Sequence, residues 1–142
     1  MVDDLAPLLL KDLVRSRGQL RVRRPGRSGH IVYLDELTMD LATAWVVERF
    51  RRWPTTTNPH LIVSRVSVAD DRNPMVSTEV TRKPFRRIGI SPGRLREDRI
   101  YDEARHTDDP VRLIRLFGLG QTTAMKYVMA AHPDRRPDPI QA

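Results

Sequence analysis

The sequence predicts a mainly α-helical fold of the α+β class, with one small β-hairpin and a C-terminal pair of helices arranged like a helix-turn-helix. Three observations lead to this prediction. Apolar residues recur at helical spacing in several segments, two alternating runs flank a PGRSG turn, and a glycine divides the apolar stretch LFGLGQTTAMKYV, residues 116–128. The 142 residues suit one domain, which we place at 1–132. The proline-rich tail, 133–142, is expected to be disordered.

The N-terminal segment DDLAPLLLKDLV, residues 3–14, predicts a first helix. Its two aspartates suit the positive end of a helix, and its leucines recur at helical spacing. Next, QLRVRR (19–24) and HIVYLD (30–35) flank the PGRSG turn and predict the β-hairpin. The tip of this hairpin carries three arginines: Arg23, Arg24 and Arg27.

A long helix is predicted from Asp35 to about Trp53, where Pro54 ends it. We expect one side of this helix to be apolar and to face the core; its members are Leu37, Leu41, Trp45 and Phe50. The segment LIVSRV, residues 61–66, reads as a short strand or a buried extended segment. Either form would bring its apolar side chains into the core.

Four further helices are predicted in the second half of the chain. They run from Ser77 to about Ile88, from about Arg94 to Arg105, from Pro110 to Phe117, and from Gln121 to about Ala131. In the first of them Pro84 is expected to kink or shorten the helix.

Composition narrows the class of protein. The net charge of +7 favours anionic partners, nucleic acid first, although 22 arginines against three lysines also fit a GC-rich genome. The absence of cysteine excludes disulfides, thiolate metal sites and cysteine catalysis. No apolar run approaches roughly eighteen residues and no signal peptide is visible, so we expect a cytoplasmic protein without membrane association. The four histidines lack metal-ligand spacing, and we expect no metal and no small-molecule cofactor.

The stretch LFGLGQTTAMKYV fits a helix-turn-helix. Gly118 would supply the positive φ of the turn, and Ala124 would let the two helices cross closely. Leu119, Tyr127 and Val128 would then face inward. The outer face would meet DNA; its members are Gln121, Thr122, Met125, Lys126 and Met129. The alternative is a plain helical hairpin that closes the core.

Several segments also follow one another in an order known from one enzyme family. They are DDLAPLLLKDL, GQLRVRRPGRSGHIVYLD, LDELTMDLATAWVVERFRRWP, Leu95-Arg96, Leu116-Phe117-Gly118, Thr122-Thr123 and Tyr127. This order resembles the catalytic domain of tyrosine recombinases (phage-type integrases), in the shortened or degenerate form found in high-GC actinobacteria. The resemblance covers most of residues 3–131, and it implies Arg96 and Tyr127 as the candidate catalytic residues.

The departures from the family pattern bear on activity. The family's first catalytic arginine would lie about where this chain begins, so we expect it to be missing. Arg24 or Arg27 replaces the hairpin lysine, and the family's two histidine-type positions are Gly93 and Leu119. Losing one electrostatic donor costs a factor of about 10²–10³ in rate, and losing a proton-transfer group costs about 10²–10⁴ more. Little catalysis should therefore remain unless a partner supplies these groups.

The favoured hypothesis is a DNA-binding protein on a degenerate recombinase-like scaffold that lacks strand transfer. Its partner would be double-stranded DNA, with a second copy or a full-length recombinase as possible protein partners. The residues expected to contact DNA are Arg23, Arg24, Arg27, Arg96, Gln121, Thr122 and Lys126. One alternative is an active recombinase or a fragment of one, with Tyr127 as nucleophile. Another is a helical protein-interaction module whose charge reflects only genome composition.

Overall fold

Six α-helices and one three-stranded sheet make up the part of the chain that the computed structural model describes, residues 2–135. The helices are α1 Glu36–Arg52, α2 Arg65–Ala69, α3 Thr78–Arg87, α4 Pro92–His106, α5 Pro110–Phe117 and α6 Gln121–Ala131. The strands are β1 Leu13–Val14, β2 Gln19–Arg24 and β3 Arg27–Tyr33. This composition confirms the predicted fold class. None of the helices within these residues combines the length and the hydropathy that a membrane-spanning segment requires.

The chain divides into two compact units, Met1–Pro92 (unit 1) and Gly93–Ala142 (unit 2). The sequence predicted one domain over residues 1–132, and this domain boundary remains a prediction. In the predicted tail, Pro133–Arg135 form a 3₁₀ turn. The remaining tail residues, 136–142, lie outside the described residues.

The sheet of unit 1 is antiparallel in the order β1-β2-β3. The predicted hairpin of β2 and β3 is confirmed, and β1 adds a short third strand that was not predicted. One face of the sheet packs on a core cluster of four buried residues: Leu8, Val22, Val46 and Leu61. The row Leu13, Leu20 and Val32, which lies side by side across the three strands, contacts this cluster.

The predicted first helix is wrong. The segment instead forms two 3₁₀ turns, Val2–Asp4 and Leu10–Asp12, followed by β1. Its backbone groups bond outside the segment: Leu10 N donates to Pro59 O at 2.9 Å, and Leu61 N donates to Leu8 O at 2.8 Å. The Asp12 carboxylate accepts from Leu9 N at 2.9 Å. These bonds replace the i to i−4 bonds of a helix.

The segment 61–66 is extended at its start and then turns into α2, so the predicted strand is not formed. Leu61 and Val63 are buried, which agrees with the alternative of a buried extended segment. Pairing with the N-terminal segment is limited to one bridge between Leu9 and His60. Ser64 begins α2 by accepting a hydrogen bond from Ser67 N at 3.2 Å.

Helix α1 has the predicted bounds, but its orientation differs. Asp35 Oδ1 accepts from Thr38 N at 2.7 Å at the start of the helix, and Trp53 ends it. The predicted inward side is wrong for three of its four members: Leu37, Leu41 and Phe50 are 69%, 63% and 51% exposed. Trp45 does contact the core. The buried positions of the helix are Val46 and Arg49.

Arg49 explains this orientation. Its side chain is 1% exposed, and its guanidinium donates to the carbonyl oxygens of Asn58 at 2.6 Å and His60 at 2.9 Å. The Asn58 amide in turn donates to Ser67 O and Pro74 O at 3.2 and 2.9 Å. Burial lowers the pKa of Arg49. The arginine therefore acts as the hydrogen-bonding centre for the loop after α1.

Unit 2 is built from α4, α5 and α6. Its core consists of the fully buried Ala104, Leu113 and Ala124, one from each helix. Asp109 caps α5 by accepting from Val111 N at 2.9 Å. The bounds of α5 and α6 match the predicted ones, and α3 ends at Arg87 with Pro84 inside it.

Candidate nucleic-acid interface

The turn between α5 and α6 depends on Gly118. This residue ends α5 in the left-handed region, at φ 63° and ψ 36°, and its N–H donates to Ile114 O at 2.8 Å. Residues with a Cβ reach this region only at a cost in free energy. Leu119 packs against the core of unit 2 immediately after the turn. The predicted glycine turn and the inward Leu119 are therefore confirmed.

Helix α6 presents the outer face that its sequence predicted. Gln121, Thr122 and Lys126 are exposed, and Met125 and Met129 are about two-fifths exposed. Ala124 is buried on the opposite side, where Tyr127 and Val128 also contact the core. The exposed positions are confirmed, while their contact with DNA stays a prediction.

Tyr127 is half-buried and packs against the Ala104–Leu113–Ala124 cluster. Burial raises the pKa of its phenol, the charge of Glu97 raises it further, and the charge of Arg96 lowers it. Among the described residues the Tyr127 hydroxyl has no hydrogen-bond partner. A tyrosine nucleophile is favoured by a depressed pKa or an adjacent base, and the pKa of Tyr127 is shifted in the opposite direction.

Arg96 lies on α4 and is half-buried. Its Nη2 donates to the carbonyl oxygen of Phe117 at 2.7 Å. Phe117 is the last residue of α5, where carbonyl groups lack partners within the helix and a cation is favoured. This guanidinium therefore stabilises the end of α5 and connects α4 to the Gly118 turn.

His132 closes the other end of α6. Its Nε2 lies 2.8 Å from Ala104 O and 3.2 Å from Thr107 O. Both neighbours are acceptors, so Nε2 carries the proton and donates. The bond connects the end of α6 to the end of α4 and fixes the helix that carries the exposed polar face.

The predicted arginines of the hairpin tip are largely engaged by carboxylates. Arg23 lies 2.7 Å from Asp12, whose side chain is 3% exposed. Arg24, itself 15% exposed, lies 3.1 Å from Asp4. The side chain of Arg27 lies outside the described residues. The structure brings these backbone positions together at the tip, with Arg24 opposite Arg27.

The positive charge is concentrated in unit 1. Residues 1–92 hold sixteen basic and ten acidic residues, a net charge of +6, whereas residues 93–142 hold nine and eight, a net charge of +1. Three exposed arginines next to the hairpin were not among the predicted contacts: Arg15, Arg17 and Arg21. The run 13–33, which has six arginines and no acidic residue, is a signal that points to them.

Two surface depressions lie away from the predicted site residues. One surface depression, with a volume of about 970 Å³, is lined by residues 65, 66 and 69–72. A second depression of about 320 Å³ lies beside the loop 52–57. None of the predicted site residues lines either one. Within residues 2–135 no three His, Asp or Glu side chains group in a way that could hold a metal ion.

Comparison with known proteins identifies the fold. The crystal structure of XerA recombinase is similar to this chain with a TM-score of 0.72 at 19% sequence identity, over 98% of this chain. The chain spans about half of the XerA chain, 53% of its length. No family model matches the sequence, and no curated protein matches it. The fold is therefore recombinase-like and resembles part of a tyrosine recombinase domain.

Proposed function

We propose that this protein binds double-stranded DNA through a recombinase-like scaffold and lacks strand-transfer activity of its own. The residues assigned to DNA contact are Arg23, Arg24, Arg27, Arg96, Gln121, Thr122 and Lys126. The observation that carries the proposal is that the recombinase-like fold is retained over 98% of the chain, while positions of the family's active site are used for packing.

Two properties of the surface support DNA binding. Unit 1 has a net charge of +6, which would attract the phosphate backbone. Helix α6 exposes Gln121, Thr122 and Lys126 in consecutive turns, residue types that contact base edges and phosphates. The proposal therefore combines an electrostatic surface on unit 1 with a polar helix face on unit 2.

Three residues of unit 2 support the absence of chemistry. Leu119 packs against the core at the position where the family carries a polar side chain, and Gly93 offers no proton-transfer group. Tyr127 packs on the same core with a raised pKa. Without an acid for the leaving oxygen, cleavage of a phosphodiester would lose about 10²–10⁴ in rate.

Salt-dependent DNA binding tests the proposal. Fluorescence anisotropy with a labelled duplex, repeated across salt concentrations, should give a linear fall of log affinity with log salt. Lys126→Ala should reduce the slope by about 0.9, the contribution of one phosphate contact. Lys83→Ala, an exposed lysine on α3, is the matched control and should leave the slope unchanged. Absence of binding near physiological salt would contradict the proposal and favour the protein-interaction module.

One observation favours the rival function, an active strand transferase or a fragment of one. The charge of Arg96 lowers the pKa of Tyr127, so the guanidinium and the phenol are electrostatic neighbours, as a nucleophile and a phosphate ligand would be. A second copy or a full-length recombinase would then supply the missing groups. A nicked suicide substrate should trap a covalent adduct that Tyr127→Phe abolishes. Such an adduct would overturn the proposed lack of activity.

A further inference from the structure

The sheet of unit 1 has one face that does not contact the core. Leu13, Leu20 and Val32 lie side by side and pack inward. Neighbouring residues along a strand point to opposite faces. The adjacent row Val14, Gln19 and Tyr33, which also pairs across the strands, therefore lies on the outer face. Arg21 and Ile31, the next outward pair, lie on the same face.

Exposure agrees with this assignment. Tyr33 is 66% exposed and Ile31 is 40% exposed, and Arg21 is exposed beside them. Both residues lie on the edge strand β3, and Tyr33 is its last residue, so this side of the antiparallel sheet is the solvated one. The outer face thus combines apolar area with a cation.

The arginines next to this face differ from those at the hairpin tip. Arg15 and Arg17 lie in the exposed 3₁₀ turn that joins β1 to β2, at the end of the sheet opposite the tip. Within the part of the chain that the structure describes, neither these two nor Arg21 forms an ion pair. Arg23 is paired with Asp12 and Arg24 with Asp4.

This difference decides where phosphates bind most favourably. A phosphate at Arg23 or Arg24 must compete with a carboxylate that is already 2.7 or 3.1 Å away, and displacing Arg23 would leave the buried Asp12 without its cation. A phosphate at Arg15, Arg17 or Arg21 meets no such competitor. Counterion release, which drives association with DNA, is therefore largest at these unpaired arginines.

We propose that the outer sheet surface, defined as Arg15, Arg17, Arg21 and Tyr33, is the main phosphate-binding surface of unit 1 for duplex DNA. This inference rests on the proposed DNA-binding function and moves the contact away from the hairpin tip. The arginines bind the phosphate oxygens, and the Tyr33 ring packs on the sugars of the same strand. The two residue steps from Gln19, which pairs with Tyr33, to Arg21 span about 7 Å, the axial length of about two base pairs.

The experiment compares salt slopes for three multiple variants of the full chain, measured by anisotropy with one labelled duplex. The triple variant Arg15→Gln, Arg17→Gln, Arg21→Gln should lower the slope by about 2.7. Between 50 and 200 mM salt, the change in Kd would then be about 40-fold smaller than for the original chain. The matching triple lysine variant keeps the charge and should keep the slope. The tip variant Arg23→Gln, Arg24→Gln should change the slope by less than the triple glutamine variant.

Tyr33 provides an independent measurement. Tyr33→Ala should weaken binding at each salt concentration and leave the slope unchanged, because packing on a sugar releases no counterion. Far-UV circular dichroism of each variant shows whether the sheet is retained, and the lysine variant gives a folded reference. Unpaired exposed arginines are not expected to affect folding.

The outcomes separate the two proposals. If the original chain shows no salt-dependent binding, the proposed function fails, and the surface assignment fails with it. If it binds, and the triple glutamine variant keeps the full slope while the tip variant loses it, the surface assignment alone is overturned. If single-stranded DNA binds more tightly than the duplex and Tyr33→Ala removes that preference, the assigned duplex ligand is wrong.

Discussion

Replacing Arg49 by methionine should strongly destabilise unit 1. The side chain is 1% exposed and donates to two carbonyl oxygens, those of Asn58 and His60. Methionine fills similar space but leaves both carbonyls without a donor, and each unsatisfied buried group costs about 1–3 kcal/mol. Release of the arginine from its desolvated site offsets part of this cost. We expect a net loss of about 3 kcal/mol in the free energy of unfolding.

Urea unfolding followed by tryptophan fluorescence measures this loss. Trp45 donates its indole N–H to Leu61 O at 2.8 Å, so its emission reports on the loop that Arg49 holds. With a denaturant slope of about 1–3 kcal/mol per molar urea, the midpoint should fall by about 1–3 M. Arg51→Met is the matched control, since this exposed arginine pairs with Glu48 on the same helix. Surface ion pairs contribute little to stability, so its midpoint should fall far less than that of Arg49→Met.

The opposite result has a clear meaning. A buried cation is sometimes replaced by an apolar side chain at no cost or with a gain in stability. If Arg49→Met unfolds at the same urea concentration as the original chain, the carbonyls of Asn58 and His60 have other partners. The assigned role of Arg49 as the centre of the loop would then be wrong. A lower denaturant slope instead of a lower midpoint would indicate a change in the unfolded state.

Three further predictions concern titration and the glycine turn. The pKa of the Tyr127 phenol should lie above the ordinary 10.0, so the stability that the neutral phenol contributes is lost as the pH rises through its raised pKa. Alkaline absorbance titration, compared with that of Tyr127→Phe, measures this pKa, and Glu97→Gln should lower it. Glu48 has a pKa of about 2, so the stability that its carboxylate contributes is present above pH 4.5 and is lost as the pH falls towards 2. The urea midpoints of Glu48→Gln and of the original chain should therefore converge near pH 2. Gly118→Ala should cost about 1–2 kcal/mol because its φ is positive, whereas Gly120→Ala, at φ −71° with open space around it, should change the thermal midpoint little.

Each of these predictions has a result that would contradict it. An ordinary phenol titration would mean that Tyr127 is not desolvated. Parallel pH curves for Glu48→Gln and the original chain would show that its ion pairs do not contribute to stability. Equal thermal midpoints for the two glycine variants would mean that the turn does not require a left-handed residue.

Local signals that involve the backbone were predictable from the sequence. Asp35 and Pro54 determine the start and end of α1, because one caps the free N–H groups and the other cannot continue the helix. Gly118 marked the turn of unit 2 for a similar reason, since few other residues adopt its φ. At these positions the side chain itself determines the local backbone conformation, so the residue type predicts the helix end or the turn without knowledge of tertiary contacts.

Signals that depend on distant partners were not predictable. The first helix was predicted from leucine spacing, but Leu8 and Leu10 form hydrogen bonds with Leu61 and Pro59, about fifty residues away. The apolar side of α1 was predicted from hydrophobicity, whereas Arg49 is buried because loop carbonyls happen to surround it. Periodicity assumes that apolar residues face inward, and it cannot account for a cation bound by backbone oxygens.

The candidate site shows the same division. The inward positions of Leu119 and Ala124 followed from their side chains and from the glycine between the helices. The ion pairs of Arg23 with Asp12 and of Arg24 with Asp4 could not be predicted, since each aspartate precedes its arginine by eleven or twenty residues. An arginine count therefore locates a basic segment, and the ion pairs decide which of its cations are available.

The division into two units has an optical consequence. Both tryptophans of the chain, Trp45 and Trp53, belong to unit 1, whereas Tyr101 and Tyr127 belong to unit 2. Fluorescence excited at 295 nm therefore follows unit 1 alone. The circular dichroism of the helices follows both units together. Superimposable thermal transitions from the two signals would reveal one cooperative melting unit, and separated transitions would assign the earlier or later step to a named half of the chain without any label.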